Sequence, residues 1–302
     1  MHDRTTRNFL VALLLTYAVA RVLQIFPTRV PTLLIVVLHV LPPAAFALLH
    51  GRRLFGTRGI LAFSFFCLAS AIFFESLGLR TGFPYGHYTF TAVMGPKILQ
   101  LPILLALAYL GVGYCAWMIA SLIVRPTPRS RTALWLVPIL ASVVMSAWDF
   151  AMDPVWVNID RAWIWFQGGA WFGVPLTNFA GWLLTNWIGY QAFALWLHRR
   201  PTSTPAAPSG WNRLAILMYA VTAAGNLLLA VPSAVPAFIP ATITDAAGRH
   251  WSTPSVIHAS ILVSLLIMMP FALVAWIRSP RYPCPRRSES AGASQLSPRV
   301  PA

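Results

Sequence analysis

A chain of 302 residues that is 58% hydrophobic and only 10% charged, with mean hydropathy +0.67, is too apolar for a soluble globular domain, where about 25% charge is usual. Its formal charge of +15 at pH 7 does not mark a nucleic-acid binder. The arginines stand in short clusters between apolar runs, as in cytoplasmic loops that face anionic lipid headgroups. Cys67 and Cys115 lie inside apolar runs and Cys284 in the tail, without CxxC or Cys/His spacing, so the sequence offers no disulfide framework and no zinc site.

These totals predict an all-α, polytopic membrane helix bundle. A helix needs about 20 mostly apolar residues to cross the hydrocarbon. Eight segments meet that demand: Phe9–Phe26, Val30–Leu49, Gly59–Gly78, Ile98–Val124, Thr132–Phe150, Leu176–Leu197, Trp211–Val231 and Ser255–Ile277. The start, MHDRTTR followed by Phe9–Ala20, has the charge-then-apolar order of a signal peptide. Arg21, Val22 and Leu23 stand where a small-residue cleavage site would be, which predicts an uncleaved first helix. Pro42 and Pro43 predict a kink in the second. Arg-rich connections, such as Arg52, Arg53 and Arg58 or Arg199, Arg200 and Arg213, alternate with Arg-poor ones, which predicts both termini in the cytoplasm. Residues 1–277 read as one transmembrane domain of a multi-pass inner-membrane protein. PTSTPAAPSG at 201–210 reads as a flexible inner loop, and 278–302 as a disordered basic cytoplasmic tail.

Glu75, Asp149 and Asp153 sit at the ends of predicted spans. A carboxylate at the bilayer centre costs at least about 2.5–3.5 kcal/mol on insertion scales, so each marks a candidate functional site. In the predicted topology they meet Asn178 at one depth near the outer leaflet, under two long outer loops, 79–97 and 151–175. In the first of these loops, TGFPYGHY at 81–88 is too rich in Gly and Pro to continue a helix, and it presents Tyr85, His87 and Tyr88. Irregular backbone at membrane level is tolerated where it is buried in protein or lines a cavity. Arg80 could instead hold Glu75 at an ordinary interface.

WDFAMDP at 148–154 sets Trp148 beside Asp149. If the helix continues to Asp153, the i, i+4 spacing places both carboxylates on one face. Two acids that close leave one protonated and one ionised. The same spacing could bind a divalent metal, or Asp153-Pro154 could simply turn the chain. The later loop crowds Trp163, Trp165, Trp171 and Phe172 ahead of Asn178 and Trp182, and a concentration at one end favours a lined pocket over an aromatic belt. The faces of these rings attract cations. Of the scattered histidines only His87 falls within such a cluster.

Glu75 with Gly78, the TGFPYGHY run, WDFAMDP and WFGVPLTNFAGW resemble, in that order, the CruF-type carotenoid hydratases, a membrane family of carotenoid biosynthesis proteins. The resemblance covers roughly residues 75–182, and Tyr85 replaces the commoner Phe. It implies addition of water across the terminal C1=C2 double bond of an acyclic carotenoid end group such as that of lycopene. A carboxylic acid among Glu75 and Asp149 would protonate the alkene, and Asp153 or Asn178 would orient the water. The aromatic set Tyr85, His87, Tyr88, Trp148, Trp163, Trp165, Trp171, Phe172 and Trp182 would hold the substrate. The chemistry calls for no cofactor and no metal. The implied partners are a lipophilic polyene within the bilayer, membrane lipids and other carotenoid-pathway enzymes, with no nucleic acid.

Three other readings fit parts of the pattern. An intramembrane UbiA-type prenyltransferase needs two Asp-rich motifs for magnesium, and only Asp149 with Asp153 is available. A proton-coupled transporter would spread its acids along a relay and often shows internal symmetry, which is not visible here. A pathway assembly protein would bind polyene without chemistry.

Overall fold

The computed structural model describes residues 2–125, 130–200, 210–233 and 239–279; the loop at 201–209 and residues 280–302 of the predicted tail lie outside them. The described chain is mostly helical. Helix α1 spans His2–Leu23, α2 Thr32–Thr81, α3 Ile103–Val124, α4 Arg131–Asn158, α5 Leu176–His198, α6 Trp211–Leu227, and a short α7 Ala230–Ser233. The last helical stretch joins α8 (Thr253–Val263) to α9 (Met269–Arg278) through a π-helical turn at Ser264–Met268. Six stretches are long and apolar enough to cross a membrane, and α2 is one of them. Such runs form helices because lipid offers the backbone no hydrogen-bond partners.

At 50 residues α2 is far longer than one crossing requires. It breaks at Gly56, whose φ of 71° and ψ of 172° are non-helical, and the chain folds back there. Gly51 packs directly on Ile60, although a straight helix would set them about 13 Å apart. The predicted second and third segments are thus the two arms of one element. Helix α5 is equally able to span by length, but carries buried Asn178, Thr185, Asn186 and Gln191. Each of the eight predicted segments falls mostly on helix, the first ending early at Leu23 and the seventh at Leu227, and two differ more. Residues 97–102, assigned to the fourth segment, form a tight hairpin of β2 (Lys97–Ile98) and β3 (Leu101–Pro102). The fifth segment continues as helix through Pro154 to Asn158 instead of ending at Phe150.

Helix α3 is buried on nearly every side and forms the axis of the bundle. Around it Phe63, Tyr114, Tyr190 and Phe193 pack with no exposed surface to speak of, and their polar tips are satisfied: Tyr190 Oη donates to the Gly113 carbonyl at 3.0 Å. The rim is equally apolar, with Phe65 65% and Leu266 70% exposed, a surface suited to lipid rather than water.

At one end of the bundle the loops are ordered by short strands. β1 (Tyr88–Phe90) pairs antiparallel with β4 (Trp163–Trp165), setting Tyr88 opposite Trp165 and Phe90 opposite Trp163. Strand alternation turns all four of these side chains to the buried face. A second hairpin, β5 (Thr242–Thr244) with β6 (His250–Ser252), lies beside it. Asp245 closes that hairpin through the Arg249 guanidinium at 3.0 Å and the Trp251 indole at 3.0 Å.

Candidate functional site

The β1–β4 pair covers a cluster of three buried carboxylates. Glu75 comes from α2, six residues before its end, while Asp149 and Asp153 are one turn apart on α4. Because α4 does not turn at Asp153-Pro154, both α4 acids share a face. Proline at 154 has no N–H to give the Phe150 carbonyl four residues back. The Trp171 indole supplies that bond instead, at 3.2 Å, and stacks on the Phe150 ring at 4.5 Å.

Each acid has its own donors. Glu75 accepts from Tyr88 Oη at 2.5 Å and from Tyr109 Oη at 2.7 Å, so Arg80 takes no part in holding it. Asp153 accepts from the Trp163 indole at 2.8 Å, with the Trp165 indole at 3.5 Å. Asn178, in the first turn of α5, gives its amide N–H groups to both α4 acids, to Asp149 Oδ2 at 2.9 Å and Asp153 Oδ2 at 2.7 Å. Among the described residues, Asp149 Oδ1 is the one oxygen of the three carboxylates that takes no hydrogen bond from the protein.

The three acids, Tyr85, Tyr88 and Asn178 line a cavity of about 20 Å³, walled by Trp163, Trp165, Trp182, Phe90 and Leu105. That volume, with several polar partners, accommodates one water. An apolar cavity of about 40 Å³ adjoins it, sharing Leu105 and Trp163 and continuing along Trp148, Met152 and Trp156. Tyr85 is wedged between two helices: a Cβ at Gly78 would lie 2.8 Å from its ring and one at Gly181 2.5 Å. These glycines are what let α2 and α5 close on it, and its hydroxyl bonds Thr185 Oγ1 at 2.6 Å.

The structure therefore brings Glu75, Asp149, Asp153, Tyr85, Tyr88, Trp163, Trp165, Asn178 and Trp182 to one cavity, with Trp148 in the adjoining one and edge-on to Trp182 at 5.8 Å. Three residues expected there are elsewhere. His87 is exposed, its ring lying over Gly82, because β1 alternation turns Tyr88 inward and its neighbour out. Trp171 and Phe172 brace the end of α4, the latter accepting from Asn158 Nδ2 at 2.7 Å and meeting Trp251 at 5.4 Å. Sequence reasoning missed Tyr109, which bonds Glu75 and stacks on Trp182 at 4.5 Å and 4°. Its one signal is a phenol inside an apolar run that ought to need a partner. Among the described residues no group of three or more His, Cys, Asp or Glu side chains stands at metal-binding spacing.

An apolar helical bundle with an acid-lined pocket at one end defines the class of helical membrane proteins. Residues 30–246 match the family described as carotenoid biosynthesis protein, and the chain belongs to that family. It is also 32% identical over 120 residues to a bisanhydrobacterioruberin hydratase of Haloarcula japonica; the match spans 39% of this chain and 39% of that relative. No solved structure matches.

Proposed function

We propose that this chain is a carotenoid hydratase of the inner membrane, crossing it eight times with both termini in the cytoplasm. It adds water across the terminal C1=C2 double bond of an acyclic carotenoid drawn from the bilayer. The observation that carries this reading is Asp149, whose Oδ1 takes no hydrogen bond from the described residues, at a water-sized cavity lined by two further carboxylates and six aromatic rings.

Hydrating an unactivated trisubstituted alkene begins with protonation at C2, which leaves a tertiary cation at C1. Asp149 is the donor: its Oδ2 is fixed by Asn178, and Oδ1 is open to carry the proton. The isoprenoid tip approaches from the apolar side, between Leu105 and Trp163. The C1=C2 π electrons form the new C2–H bond, and the faces of Trp182, Trp163 and Trp165 stabilise the cation without adding to it. The water held by Asp153 and Asn178 attacks C1, and its surplus proton passes to the Asp149/Asp153 pair, which ends the cycle with the proton count it began with. Glu75, clamped by Tyr88 and Tyr109, is a polar wall that keeps the water in place.

The test is pigment extraction from a lycopene-producing host. The wild-type chain should yield carotenoids heavier by 18 mass units per hydrated end. Asp149→Asn and Glu75→Gln should lose that product while the protein still accumulates. Full product from both variants would sink the assignment.

A further inference from the structure

Beyond the end of α4 a second cavity of about 60 Å³ opens, whose mostly apolar lining includes Arg21, Gln24, His39, Asp160, Asn226 and Ser260. It adjoins the larger neighbour of the acid pocket, with which it shares Arg21, His39, Asn226 and Trp156, while that neighbour shares Leu105 and Trp163 with the acid pocket. Three residues of the second cavity, Arg21, His39 and Ser260, are buried and each leaves one polar atom without a partner among the described residues. Arg21, 7% exposed, gives one guanidinium nitrogen to Asn226 Oδ1, and among the described residues its Nε has no partner and no carboxylate lies within ion-pair distance. His39, 8% exposed, bonds the Ile35 carbonyl through Nδ1 at 2.6 Å and leaves Nε2 partnerless. A carbonyl can only accept, so Nδ1 carries the proton and Nε2 of the neutral ring is an acceptor. Ser260 Oγ, also buried, has no partner.

A buried guanidinium without its complement of acceptors is costly, and it is retained here beside a π-helical turn. That turn, at Ser264–Met268, brings Ser264 to Asn226 at 2.8 Å, and Asn226 in turn fixes Arg21. Local π-helix is frequent at functional sites. Gly225 leaves the guanidinium stem room that any Cβ would occupy. The occupant these groups define is neutral. An anion would meet the Asp160 carboxyl as well as Arg21. A carbonyl would satisfy Arg21 and leave the His39 acceptor idle. A hydroxyl accepts from Arg21 and donates to His39 or Asp160.

We propose that the Arg21/His39/Asp160 cavity is a second substrate subsite that binds a hydroxyl carried on the isoprenoid whose alkene lies at Asp149. The inference rests on the hydratase reading for the kind of lipid involved. The enzyme would thus favour end groups that already bear oxygen, and its substrate would come from a reaction that installs a hydroxyl on an acyclic isoprenoid.

The experiment titrates the tryptophan fluorescence of the full-length chain in detergent with farnesol and with its hydrocarbon counterpart, farnesene. Both end in the same dimethyl alkene, and at the distant end farnesene has a diene where farnesol has its allylic alcohol. Farnesol should bind at least tenfold more tightly, and Arg21→Leu should erase that preference while leaving farnesene binding unchanged. His39→Leu, which keeps the charge, should reduce it severalfold and serves if the Arg21 variant fails to accumulate. Equal binding of the two probes by the wild-type chain, as expected if the cavity serves only water, overturns the proposal. So does a preference that survives both substitutions. Loss of farnesol and farnesene binding alike marks a structural role and overturns it too. Because the readout is binding, it is independent of turnover: a chain that hydrates nothing but keeps the preference refutes the hydratase reading alone.

Discussion

One amide does the work of two donors at Asn178, splitting its N–H groups between carboxylates on the neighbouring helix. In water those acids would be solvated separately. Here they share a single nitrogen, and what distinguishes them is their second oxygen, capped by an indole in Asp153 and open in Asp149. Tyr109 plays the corresponding part for Glu75. Removing its hydroxyl leaves a buried carboxylate oxygen without one of its donors, a loss of about 1–3 kcal/mol. Tyr109→Phe should therefore lower kcat by about tenfold to a hundredfold with KM little changed, since the ring stacked on Trp182 is retained; steady-state kinetics on lycopene in detergent checks this. The acids were legible in the sequence because charge is so rare in this chain. Tyr109 was not, because nothing local separates a phenol that bonds a distant acid from one that merely fills a core.

Helix α4 owes its reach to a repair. Pro154 would ordinarily kink or end it, and the exchange of a lost backbone donor for the Trp171 indole lets it run on to Asn158 and keep both acids on one face. Trp171→Phe should destabilise the chain by about 1–3 kcal/mol, read as a lower unfolding temperature in detergent. Adding Pro154→Ala, which restores the N–H, should recover part of the loss; no recovery in the double variant would refute the account. The helices themselves were readable from the length of their apolar runs. The β1–β4 pairing was not: its strands are three residues each and more than 70 residues apart, too short for alternation to register and joined only by tertiary structure. That pairing decides which aromatic side chains face the acids, which is why Trp165 lies at the site while Trp171, His87 and Phe172 do not.

For the molecule as a whole, the charge pattern and the bundle bear on each other. The acid site, both hairpins and the connections after α1, α4 and α6 gather at the Arg-poor end, and the Arg-rich connections at the other. In a background with Cys284→Ser, a membrane-impermeant thiol reagent applied to intact cells should label Arg80→Cys and not Arg199→Cys; the two native cysteines at 67 and 115 are buried. Labelling of the second variant instead would invert the topology and put the site at the cytoplasmic face.

The bond from Asn178 to both α4 acids also fixes an order of events during synthesis. Asp149 and Asp153 leave the ribosome before Asn178 does, and before the tryptophans of β4. For that interval the translocon must accept two carboxyl groups with none of their eventual donors, each at a cost of about 2.5–3.5 kcal/mol on insertion scales if charged. The later segments α5 and β4 thus act on α4 twice, first as the chaperones that complete its polar face and then as the permanent walls around it.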